Sequence, residues 1–248
     1  MNPARVLPRF TLHPSWAAIA LLLLFLLTTG MPAQEPGAVP NTNFVLKTLS
    51  NGVFEIGSVR LDQWRRAITL PAFVNLREGA IEYLLVHSNG KTHESVFRTD
   101  AEPYHIHVAM LLLGARTAGT NAFPEPPAAA LPGEKVVVEI AWRRKSKQFR
   151  YRGETFVLDR KRKSVMTKGD WIYTGSRLRE DGFAAQFDGS IISLITDPDA
   201  LVNNPRPGRE DDDNWLAKPG NLPAFNEPVE VIITFAEEGG HKGNSSGR

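Results

Sequence analysis

A chain of 248 residues without a single cysteine has no disulfide, no thiolate nucleophile, no cysteine zinc site and no cysteine-ligated iron–sulfur cluster. Its formal charge is +2, but residues 1–33 hold two arginines and no acid, so the remainder sums to 2 − 2 = 0. A neutral body gives no electrostatic case for nucleic acid as a partner.

The chain opens with Arg5 and Arg9, followed by the apolar run "WAAIALLLLFLL" (16–27) and small residues around Ala33. A positive end, a short apolar core and a small-residue exit predict a signal peptide over residues 1–33, cleaved near Ala33. The run falls short of the ~20 residues that span a bilayer. Extended through Met31, it gives the alternative of a retained N-terminal membrane anchor, the one case in which a membrane would be a partner. No cysteine follows it, so a lipoprotein anchor is excluded. Export implies the periplasm or the exterior, where a chain without disulfides needs a real core; about 200 residues can supply one.

Residues 34–43 read as a linker, and short β-prone runs begin at Phe44. "GVFEIGSVRLD", "RAITLPAFVNL", "AIEYLLVHS" and "HESVFRT" come first, punctuated by Gly, Asn and Asp. A helix is predicted over Glu102–Leu113, with Asp100 as cap, Pro103 in the first turn and Gly114 as stop. After the Pro-rich connection "TAGTNAFPEPPAAALPG" come "KVVVEIAW", "QFRYRGETFVLD", "DWIYTGS", "GSIISLIT" and "PVEVIITFA". Thr196 to Pro228 shows no convincing element, and residues 237–248 read as a disordered tail. The expected fold is α+β: one β-rich domain over residues 44–236, of mostly antiparallel strands with one main helix.

Four segments carry a resemblance: "GKTHES" (90–95), "HVAMLLLGA" (107–115), "WIYTGS" (171–176) and "GSIISLITDPDALVNNPRPG" (189–208). "RGETFVLD" (152–159) is a fainter fifth. Together they resemble the YdjY-like family of exported bacterial proteins, over roughly residues 50 to 235. The resemblance implies an exported domain and brings no catalytic residue with it. Any electron-transfer role built on an iron–sulfur cluster is excluded by the missing cysteines.

His93, Glu94 and His107 form the candidate polar cluster. "HES" resembles the start of a zinc-protease helix, but HExxH needs a second histidine at position 97, which is Phe. A strand through "THESVFRT" would put His93 and Glu94 on opposite faces. On a helix, His105 and His107 point about 200° apart and cannot chelate together. His93 with His107 is therefore the better pair. Structural hydrogen bonds near the helix start are the expectation for both. A metal-dependent, hydrolytic site around them is the alternative. No GxGxxG or P-loop is present, and no catalytic residue is assigned.

Between Arg143 and Lys168 stand eleven basic residues against Glu154 and Asp159. In "QFRYRGETF", Phe149 and Tyr151 share one face, and Arg150 and Arg152 the other. Arg150, Arg152 and Lys161 make a candidate patch for an anionic polymer, though a solvated hairpin protected by its charges is the leading reading. In the long segment, Asp197, Asp199, Asn203 and Asn204 could offer oxygens to calcium, with Glu210 to Asp213 nearby and Trp215 as an anchor. Asx turns are favoured there. No cofactor is expected, zinc and calcium are the open alternatives, and the expected partner is an envelope protein or an anionic polymer. Two classes remain: a non-catalytic envelope binding module, and the metal-dependent site.

Overall fold

The protein is described by a computed structural model, covering residues 44–119, 123 and 130–237. The expected signal peptide, linker, most of the tail and part of the Pro-rich connection lie outside these residues. No helix among the described residues is long and apolar enough to cross a membrane.

The sheet grows from three strands that alternate cleanly. β4 (Ala67–Val74) buries Ile68, Leu70, Ala72 and Val74; β7 (Glu134–Arg144) buries Val136, Val138, Ile140 and Trp142; β17 (Pro228–Phe235) buries Val229, Val231, Ile233 and Phe235. The period of two sends one face of each strand inward. β17 pairs antiparallel with β4 on one side and β7 on the other. From β7 the order runs through β11 (Trp171–Tyr173), β15 (Val202–Asn203), β14 (Ser190–Ser193), β5 (Tyr83–His87) and β6 (Ser95–Thr99). β6 then pairs back onto β4 through Phe73–Arg98 and Val74–Phe97, closing a barrel-like ring. Two of its pairings, β5–β6 and β14–β15, are parallel.

Both β4 and β7 fork. The start of β4 pairs with β3 (Val59–Asp62), which continues into β2 (Val53–Ile56) and β1 (Leu46–Ser50), while its end pairs with β6. Pro71 sits in the gap between the two partners, where its missing N–H costs no ladder bond, and its carbonyl accepts from Thr99 Oγ1. The far half of β7 pairs with β8 (Lys147–Arg152). Phe149 and Tyr151 share one face of β8, as expected, and stack on Trp142 at 5.2 and 5.5 Å.

The main helix, α1 (Pro103–Leu112), is one residue shorter at each end than the sequence suggested. It ends at Gly114 (φ +84°), where Ala115 N–H bonds Met110 O and Gly114 N–H bonds Leu111 O, a Schellman closure. Asp100 is not its cap. The N-cap is Glu102, too far along the chain for Asp100 to serve, and Asp100 accepts from Ser88 Oγ. Gln186, in the short helix α2 (Ala184–Asp188), performs the capping: its Oε1 accepts from Tyr104 N–H at 2.9 Å, and its Nε2 donates to Glu102.

The segment after Thr196 is not without structure. It contributes β15, a 3-10 turn at Asp212–Asn214 and β16 (Trp215–Ala217), which pairs with β9 (Val157–Asp159). β9 also pairs with β10 (Ser164–Val165). Trp215 is buried.

Candidate functional site

α1 carries two apolar stripes. Ile106, Ala109 and Met110 enter the core, while Tyr104, His107, Val108 and Leu111 recur at i, i+3, i+4 and i+7 and line an open groove of about 680 Å³. The opposite wall is the loop after β11, with Gly175, Ser176 and Arg177, then Leu178 and Phe183 from a two-stranded ribbon of β12 (Leu178–Arg179) and β13 (Gly182–Phe183). Leu178 is 81% exposed at the rim. The ring of Phe183 lies 4.7 Å from that of His107 and 6.1 Å from that of Tyr104.

The wall's shape comes from a turn with two consecutive positive φ values, Gly175 at +85° and Ser176 at +61°. A Cβ at Gly175 would meet Thr117 Cγ2 at 2.6 Å, so only glycine allows this approach. Ser176 is held in its strained conformation by two bonds: Oγ donates to Asp199 O at 2.7 Å and accepts from Ala185 N–H at 3.1 Å. Arg177 pairs with Asp199, and Arg179 with Asp181, Asp188 and Asp199.

At the groove floor, His107 Nδ1 lies 2.7 Å from the hydroxyl of Tyr173, a buried residue of β11. Burial lowers the His107 pKa to about 4 and raises that of Tyr173. Both are neutral near pH 7.

His93 is elsewhere. It stands on a 3-10 turn, Thr92–Glu94, with 79% of its side chain exposed, and its Nε2 lies 3.7 Å from Glu94. The expected strand through His93 and Glu94 starts only at Ser95, because Asn75 Nδ2 donates to both Thr92 O and Ser95 O and holds the turn. His93 and Glu94 thus meet each other instead of facing apart, and His107 has a different set of partners. The structure does not bring the two histidines into one cluster. Among the described residues, the group close enough to share a metal ion is Asp211, Asp212 and Asp213.

Beside His93, Lys91 lies 3.3 Å from Glu82 and 3.4 Å from Glu94, over the ring of Tyr83. Partial burial opposes its charge, but Tyr83, Glu82 and Glu94 together hold its pKa above the lysine range. Tyr83 donates to Asp197 at 2.9 Å, and burial followed by that carboxylate raises its pKa. Neither an amine nucleophile nor a phenolate base results.

Each of the basic candidates has an acidic partner. Arg150 pairs with Glu139, Arg152 with Glu154, and Lys161 with Asp211. The loop oxygens are likewise taken by protein donors. Asp197 accepts from Asp199 N–H; Asn203 Oδ1 accepts from Asp197 N–H; Asn204 Oδ1 accepts from Arg206. Asp199 is held by the two arginines already named. These are the Asx turns and ion pairs of a structural loop.

Sequence reasoning missed Tyr104, Tyr173, Leu178 and Phe183 at the groove. The stripe on α1 was legible from its spacing; the opposite wall joins it only through long-range packing. A model for the YdjY domain matches residues 59–234 of the chain. No curated protein and no solved structure matches it.

Proposed function

Because the chain belongs to the YdjY domain family, we propose that it is an exported, non-catalytic envelope module that binds an apolar group of a partner in the groove beside α1. The observation that carries this reading is the second apolar stripe of α1, Tyr104, His107, Val108 and Leu111, which lines an open groove. Concave apolar surface with a few convergent polar groups is the usual form of a ligand site. Leu111 and Leu178 extend the apolar surface to the rim. The polar groups around it favour binding over chemistry, since the Ser176 hydroxyl is committed to Asp199 O and Ala185 N–H, and neither bond is to a base that could activate it. Residues 1–33, with their positive start and short apolar core, support export.

The test is titration of the purified full chain with the apolar dye N-phenyl-naphthylamine. Saturable binding at one site is expected, abolished by Val108→Trp, which fills the groove, and weakened by Leu178→Glu. Equal dye binding by the wild type and both variants would overturn the reading.

A further inference from the structure

The groove contains one polar group whose protonation the structure fixes. The Tyr173 hydroxyl is buried, and the acceptors beside it are His107 Nδ1 at 2.7 Å and His107 O at 3.5 Å. A buried hydroxyl needs an acceptor, and 3.5 Å is too long for a good one. Its proton therefore points to Nδ1, and the neutral imidazole carries its own proton on Nε2. Among the described residues Nε2 makes no hydrogen bond, yet it is not among their buried unpartnered atoms. His107 also lines the groove. The groove thus offers an N–H donor within apolar walls.

Arg177, the charged residue of the lining, and the ion-pair network it belongs to narrow the choice further. Arg177 and Arg179 face Asp181, Asp188 and Asp199, so the set sums to 2 − 3 = −1. An anionic ligand would find both guanidinium groups already engaged and an excess carboxylate beside them.

We infer that the groove selects an uncharged, apolar ligand bearing one oxygen acceptor, a ketone- or ester-type carbonyl, that takes a hydrogen bond from His107 Nε2–H. The inference rests on the groove being the ligand-binding surface and names what that surface recognises. Tyr173 is a positioning residue: it holds the tautomer and does not touch the ligand. The low pKa of His107 keeps the donor uncharged across the neutral range.

Two fluorescent probes separate the possibilities, prodan (propionyl-dimethylaminonaphthalene) and dimethylaminonaphthalene, which lacks the carbonyl. The full chain is expected to bind prodan about tenfold more tightly, the worth of one hydrogen bond in an apolar site. In His107→Phe both probes should bind with affinities within about twofold of each other. Equal affinities in the wild type, or a carbonyl preference surviving in His107→Phe, would overturn the inference and leave the groove as a binding site. Failure of the wild type to bind either probe would overturn the groove reading and the inference together. Nitrogen-15 NMR of the native chain keeps the tautomer testable if the variant does not fold. An Nε2–H imidazole at pH 7 is expected, and an Nδ1–H tautomer or an imidazolium would sink the inference.

Discussion

Glu154, with no solvent contact, receives the guanidinium of Arg206 at 2.7 Å, which ties "RGETFVLD" to "NNPRPG" across the core. Arg152 at 3.0 Å, Gly169 N–H and Trp171 Nε1–H, both at 3.2 Å, complete the shell of the carboxylate. Arg206 also lies over the Trp171 ring and donates to Thr167 O and Gly169 O.

Removing one partner of a buried pair leaves the other unmatched, at a cost of ~3–5 kcal/mol. Glu154→Ala and Arg206→Ala should each lower stability by that order, measured by urea unfolding. The double variant should cost less than the sum of the two.

His107 should make the fold acid-sensitive. Its folded pKa, about 4, lies below the unfolded value of 6.5, so the unfolded chain binds the extra proton between these values and stability falls as pH drops through that window. The loss approaches roughly 3 kcal/mol by pH 4. Unfolding curves at pH 7 and pH 5 should diverge in the wild type and come closer together in His107→Phe. An unchanged pH dependence in the variant would contradict this assignment.

His93 should be dispensable. Its side chain is largely exposed, with Nε2 3.7 Å from Glu94, so His93→Ala should shift stability by no more than ~0.5 kcal/mol. Adding EDTA or zinc should leave the melting temperature of the wild type in place. Stoichiometric zinc lost in His93→Ala would revive the metal-dependent alternative.

Reversing the basic hairpin should separate its residues. Arg150→Glu and Lys161→Glu break exposed pairs and should leave the unfolding midpoint in urea little changed. Arg152→Glu places a second carboxylate against buried Glu154 and should lower that midpoint clearly. Retention on heparin, compared among the three variants, should not depend on these residues.

The sequence made β4, β7 and β17 readable because each carries a run of alternating buried positions, and it placed the end of α1 because Gly114 is the residue that a left-handed closure requires. Barrel closure was not readable. It depends on β6 returning to β4 and on two parallel pairings whose strands are short and buried on both faces, so no alternation marks them. His107 was singled out from "HIH", but its partner Tyr173 is 66 residues away. The pairing of His93 with His107 failed for a local reason: the two hydrogen bonds from Asn75 bend the chain before the strand begins. The loop after Thr196 looked unstructured because its order comes from Asx turns, buried Trp215 and Arg206, and not from any hydrophobic period.

The position of β17 between β4 and β7 has a consequence for biogenesis. The strand that joins the two arms of the ring follows every other strand among the described residues, so both neighbouring edges stay open until residue 235 has emerged. A nascent chain that contains β4 and β7 but not β17 carries two unpaired apolar edges, the kind of surface that holdase chaperones cover.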